Sequence, residues 1–456
     1  MTDTAHKALR DCLGNTTSIH TPEALAGVND FILGFLGYNK RIVKILDTAK
    51  IYSDGLVHIY AGLLWMLSET GDTPTAARQH AHQARLAPAL NDRERLLLSA
   101  LEYWLEDDMP AVLQCLKDIL QRWPHDFIAL KIHQYDDFNN GRALDMLRVT
   151  ELCLQAGAQN AHFHGMRAFA YEQCHQLDHA ERAARRALAL DPCEAWAQHA
   201  LAHVMLTQGR IEEGAAFLNA QAQGWEDLTS FLYTHLWWHK ALFHISLGQA
   251  ETALHIYDQH CWARDRTFSQ DQAGAVSLLL RLEFAGVETA ARWQDLGPYL
   301  AQRKHDVSQP FLSLHYLYGL LRAGRPEGEE LLQTIRQLAA SRNGGSTAAA
   351  WREVGLGLAE ALAAHAQNRL HDVLPQLDPV LGRIEQIGGS HAQRDLFEQL
   401  ALDTLLRTGQ DGRAQQVLEG RRRYTPDDVP ANRTLAQLYR RNGLEELAQE
   451  AQARLP

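Results

Sequence analysis

The sequence predicts an all-α fold, a tetratricopeptide-like α-solenoid of stacked antiparallel helix pairs curled around an interior groove or pocket. Three observations predict it. A pattern of small residues and tyrosine recurs at a spacing of 34 residues. Glycine or polar turns interrupt the helical periodicity at matching places, and strand-like alternation is almost absent.

The clearest unit is residues 161–195. Counted from Ala161, it has Ala168 at position 8, Tyr171 at 11, Ala180 at 20, Ala187 at 27 and Pro192 at 32. Small residues at positions 8 and 20 let two antiparallel helices approach closely, and Pro192 stops the second helix. The next unit starts at Ala195, with Ala202 and Gly214 at the small positions and a turn at Gly209-Arg210. A third, around Thr234, carries Trp237, Ala241, Gly248 and Ala253. Ala77 and Ala111 are again 34 apart, as are Ala414 and Ala448, and the last unit has Ala436 and Tyr439. Residues 161–260 and 395–456 keep the pattern best. Between 270 and 390 the segments are helical by period but the repeat is degenerate. One helix pair cannot bury its apolar face alone, so the expectation is a single continuous body over 1–456.

Composition narrows the function classes. An apolar fraction of 46% is enough for a core, and only 14 prolines leave little room for disordered linkers. A net charge of −11 argues against nucleic acid and anionic membranes as partners. The densest basic run, Arg421 to Arg423, reads as a solvated helix end. Six scattered cysteines without a CxxC pair read as free, buried thiols in a reducing compartment. The leader MTDTAHKALRDCLG has no apolar stretch, and nothing approaches a membrane span. A cytoplasmic location is therefore expected.

The repeat register selects candidate site residues. Ligand-facing positions of a tetratricopeptide unit lie on its first helix, near 2, 5, 9, 12 and 13. They hold His162, Phe169, Glu172 and Gln173 in the first unit, His199 and His203 in the second, and His235 in the third, with His239 one turn later. Each HxxxH pair lies on one helix face. Imidazoles at that spacing can ligate a metal or serve as general acid and base, and they can also be hydrogen-bonded packing residues. Glu172, His199, His203, His235 and His239 are the candidate catalytic set. Phe169, Trp238, His391 and Arg394 are candidate ligand-binding residues. Whether a metal or other cofactor is bound is left open by the sequence. The aromatic run Trp225 to Trp238 reads as core. Asp258 reads either as a cap of the following segment or as a catalytic carboxylate. In IGGSHAQRD (387–395), Gly388-Gly389 ends one segment and Ser390 is a good N-cap for the next. The double glycine could also present backbone N–H groups to an anion, with His391 and Arg394 in the first turn. No GxSxG, P-loop or GxGxxG is present, so no nucleophile stands out.

Several of these segments carry a family resemblance. HALAHVMLTQGRIEEG (199–214), FLYTHLWWHKALFHISLGQAETALHIYDQH (231–260), SLLLRLEFAGVETAARWQDL (277–296) and IGGSHAQRDLFEQL (387–400) together resemble the tetratricopeptide repeat protein 38 family. AHFHGMRAFAYEQ (161–173) and LLSALEYWLEDDMPAVLQCLKDIL (97–120) resemble it too. The resemblance implies an all-α repeat fold over most of the chain and brings no established activity. His199, His203, His235, His239 and His391 lie in its most recognisable segments. The family tends to have two acidic residues where this chain has Glu172-Gln173, which weakens a two-carboxylate mechanism.

Two functional expectations follow. The first is a small molecule or peptide held in a histidine-rich concave pocket, with His/Glu acid–base chemistry as one outcome. The second is a non-enzymatic scaffold that binds a peptide or protein in its groove.

Overall fold

The computed structural model describes residues 9–68, 73–341 and 345–456, and residues 1–8 of the leader lie outside them. Among the described residues the fold is helix after helix with short connections and no strand. The only β contacts there are two isolated bridges, Arg10 to Thr16 and Asn39 to Leu228. The chain divides into two compact units. One comprises Met1–Phe138, Arg142–Ala200 and Asp227–Thr229, the other Asn139–Gly141, Leu201–Glu226 and Ser230–Pro456. The boundary between Ala200 and Leu201 falls inside one uninterrupted helix, Ala195–Thr207.

The small positions of the repeat do what their size permits. Ala168, Ala180, Ala187, Ala202, Ala241 and Ala253 are all fully buried. A Cβ built on Gly214 would lie 2.3 Å from the Phe243 ring, so only glycine allows that approach. Within the first unit, Phe31 stacks on Tyr60 at 4.6 Å between ring centroids, over a core that includes Leu97, Phe127 and Phe163. The second unit is built around Trp293, Trp351, Tyr316 and Tyr318. Two of these aromatics are satisfied through their indoles: Trp293 Nε1 donates to Glu283 (2.7 Å) and Trp351 Nε1 to the Val307 carbonyl (3.0 Å).

The turns within the pairs reveal the register more cleanly than the alanines do. Among the described residues the pairs from Asp92 onward turn through a residue in the left-handed region: Asp107, Gly141, His175, Gly209, Gly248, Gly286, Gly324, Asn368, Gly409 and Gly443. The first four follow one another at 34 residues, as do the last two, while the intervals between Gly209 and Gly409 run from 38 to 44. This is why the repeat fades between 270 and 390. The units are still helix pairs, but each carries extra residues. Some are absorbed in π-helical turns at Tyr257–Cys261 and Trp351–Gly355, where an insertion widens the helix without ending it.

The turn positions support a paired prediction. His175 has φ +54° in a place where most units use glycine. His175→Gly is expected to stabilise the protein by about 1 kcal/mol in urea denaturation, because a Cβ is strained there. Gly209 has φ +70°, and a Cβ on it would lie 2.3 Å from the Tyr424 carbonyl oxygen. Gly209→Ala is expected to cost about 2 kcal/mol or more by the same measurement.

Several expectations are refined. All six cysteines are free, but only Cys153 and Cys261 are buried, and Cys12 and Cys193 are exposed. The aromatic run is core at Trp225, Tyr233 and Trp238, whereas Trp237 is partly exposed and stacks on His260 at 3.5 Å. Asp258 caps nothing. It holds Arg292 through two bonds of 2.7 and 2.8 Å, linking its turn to Ala290–Leu300. Arg421 is not simply solvated, since it pairs with Asp395 (2.5 Å) and Glu398 (3.3 Å).

His315 gives a pH dependence. It is 2% exposed, and its Nδ1–H donates to the Phe311 carbonyl (2.7 Å). Burial pushes its pKa down to about 4; the carbonyl opposes this and Arg281 adds to it. Between that value and about 6.5 the unfolded chain binds a proton that the folded protein refuses. Stability is therefore complete above pH 6.5 and is lost as pH falls toward 4, by about 3 kcal/mol for this group. His315→Gln is expected to flatten the fall in Tm over that range.

Candidate metal centre

The Ala195–Thr207 helix, AWAQHALAHVMLT, is apolar on most of its circumference and is buried accordingly. Two histidines interrupt it at i and i+4, so His199 and His203 share one face. Both are 1% exposed. Ser230–Ser246 repeats the arrangement with His235 and His239, which are 8% and 0% exposed.

Three of these histidines, His203, His235 and His239, lie together within the second unit. His235 Nε2 lies 3.3 Å from His239 Nε2, and the His203 and His239 rings are 4.4 Å apart at their centroids. Within the second unit His203, His235 and His239 each offer one ring nitrogen, and none of these nitrogens is more than 4.8 Å from another. Two nitrogens bound tetrahedrally to one ion at 2.0–2.1 Å are about 3.3 Å apart, and opposite ligands of a square arrangement about 4.2 Å. The observed spread brackets both values.

Aromatic rings hold the imidazoles. Trp238 lies almost parallel to His235, at 5.3 Å and 8°, and meets His239 edge-on at 4.8 Å. Phe231 covers His235 at 5.3 Å and 22°. Within the first unit, Phe169 and Trp196 pack on His199 at 5.2 and 4.4 Å. Burial, and then the neighbouring His203, pushes the His235 pKa down to about 3. That ring is neutral at physiological pH, the form in which imidazole ligates a metal.

The other predicted residues are placed as follows. Glu172 is fully buried and accepts a bond of 2.5 Å from the Gln173 amide. Phe169 is a ring contact of His199, and Trp238 of His235 and His239. His391 and Arg394 form the first turn of His391–Arg407, where Arg394 donates to the Gly389 carbonyl and meets His391 Nδ1 at 3.3 Å. That contact organises the helix start. The Ser390 cap expected from sequence is present as a capping box with Gln393. From this segment it is Gln393, not His391 or Arg394, that reaches the surroundings of His235.

Beside His235 lie two adjoining niches, each with room for about one water-sized molecule. Phe231, His235, Trp238, Gln270 and Gly274 line both. Asp271 borders one of them, with its carboxylate accepting from the Ser230 hydroxyl and from Thr234 Oγ1 (2.9 Å). Burial raises the Asp271 pKa to about 7 against those two hydroxyl donors. Register reasoning could not find these residues, because they come from Ser269–Phe284 across the space. The one local signal was a glycine inside an otherwise helical run.

No family model matches the sequence. Among solved structures the chain is similar to a human IFIT1 dimer with PPP-AAAA, at 13% identity and a TM-score of 0.41, covering 93% of this chain and 94% of that one. It is similar to a human IFIT1 dimer with m7Gppp-AAAA at 11% identity and 0.38, covering 96% and 90%. A monomeric IFIT1 mutant with Gppp-AAAA gives 12% and 0.40, covering 93% and 95%. One expectation is corrected here. The acidic net charge was read as excluding nucleic acid, yet these helical-repeat structures are complexes with nucleic acid, so that exclusion is withdrawn. Among the described residues no helix is long and apolar enough to cross a membrane.

Proposed function

We propose that this helical-repeat protein binds one first-row transition-metal ion through His203, His235 and His239, all in the second unit. The observation that carries the reading is the convergence, within the second unit, of three ring nitrogens, none more than 4.8 Å from another, in a buried setting. An all-imidazole set suits zinc, copper, nickel or iron. It does not suit calcium or magnesium, which require oxygen ligands. The space beside the rings is too small for an organic substrate, so the small-ligand expectation narrows to an ion and what can reach it.

The test is metal loading. Chelator-stripped protein is offered zinc, copper, nickel and calcium, and bound metal is counted by elemental analysis after gel filtration. One transition-metal ion per chain and no calcium is the expected result. Substoichiometric uptake of every transition metal would overturn the reading. The second reading is a non-enzymatic scaffold for a peptide, protein or nucleic-acid partner. It is separated by the same preparation, because partner binding by a scaffold would be indifferent to chelator. The tetratricopeptide repeat protein 38 resemblance and a cytoplasmic location, in keeping with six free thiols, belong to the proposal and bear on neither test.

A further inference from the structure

Gly274 sits in the interior of Ser269–Phe284, between the buried Ala273 and Ala275. Glycine weakens a helix interior, so its presence needs a reason. In this unit Gly412 and Gly420 lie on an exposed helix face with open space before them, whereas Gly214, Gly297 and Gly319 have their reason in close packing. A Cβ would lie 2.3 Å from Phe243 at Gly214, 2.8 Å from Ala323 at Gly297 and 2.4 Å from Leu300 at Gly319. At Gly274 a Cβ would meet nothing within 4 Å. The glycine makes no close approach; it leaves a space. That space belongs to the niches beside His235, which is also the most exposed of the three histidines His203, His235 and His239, at 8%. Phe231, Gln270 and Gly274 are themselves only partly buried and form the mouth, while His235, Trp238 and Asp271 lie deeper.

We propose that the niche over Gly274 is the entry and binding position for a small exogenous ligand of the metal, a neutral or anionic molecule of no more than about three heavy atoms. The inference rests on the metal reading above. It makes the centre an open, reactive one rather than a closed structural one, since a structural site leaves no route to the ion. The apolar faces of Phe231 and Trp238 set the width. Gln270, Ser277 and Gln393 supply polar groups at its rim. Ligands larger than the niche are excluded by the same walls.

The test uses copper-loaded full-length protein and azide as the probe, followed by the azide-to-copper charge-transfer absorption. Wild type is expected to show a saturable band. Gly274→Leu and Gly274→Val fill open space, so both are expected to keep the wild-type helix content and copper stoichiometry. Azide binding should weaken about tenfold or more in each. A copper-loaded wild type that does not respond to azide would overturn the proposal, as would a folded plug variant that binds azide like wild type. Protein that binds no copper, nickel or zinc would overturn the metal reading itself, and this inference with it.

Discussion

With His235 and His239 both changed to alanine, the protein is expected to retain no transition metal under conditions in which wild type carries one ion per chain. The double variant removes the two nitrogens that lie 3.3 Å apart, the separation that best matches two ligands of one ion. Changing groups that merely orient metal ligands typically costs ten- to a hundredfold in affinity, so losing two ligands should cost about a thousandfold or more. His391→Ala, outside the cluster, should leave loading unchanged. A thermal readout should move in parallel. At free metal of about 100 times Kd, an ion that binds only the folded state adds about 2.7 kcal/mol, and the double variant should show no such gain. Equal loading of wild type and the double variant would show that the metal sits elsewhere.

Arg93→Ala is expected to destabilise the first unit by about 3–5 kcal/mol. Arg93 is 1% exposed, with Nη1 donating to Asp126 (2.8 Å) and Nη2 lying 3.6 Å from Asp11. Both carboxylates are fully buried at their side chains. Burial pushes the Asp11 pKa up, and Arg93 opposes it. Removing the guanidinium leaves two buried acids without their cation. The damage should extend to the start of Asp92–Leu105, which is tied to the preceding loop by Ser18 N–H donating to Glu94 (2.8 Å) and Asn91 Nδ2 donating to the Thr16 carbonyl (3.1 Å). Urea denaturation measures the cost. Arg93→Met with Asp11→Asn and Asp126→Asn should recover much of it, because neutral groups replace all three charges. A loss below about 1 kcal/mol for Arg93→Ala would mean that the carboxylates are solvated or protonated in the native state.

The two predictions also mark what the sequence carried. The 34-residue spacing and its small residues were legible because close helix packing demands particular sizes at particular places, as Ala180, Ala187 and Gly214 illustrate. The middle was not legible by the same ruler, since its units are lengthened and partly taken up in π-helical turns. A search on left-handed turn residues would have followed the pairs through Gly248, Gly286 and Gly324. The four histidines were legible because i, i+4 spacing and unit register fix which face each occupies. Gly274, Asp271 and Gln393 reach the site from helices distant in sequence, and no spacing rule connects them to His235.

X-ray absorption at the metal edge of the zinc-loaded protein tests the central claim most directly. The account predicts nitrogen ligands at about 2.0–2.1 Å, with the outer-shell scattering of imidazoles from His203, His235 and His239. A first shell dominated by sulfur near about 2.3 Å, or by oxygen without imidazole scattering, would contradict it.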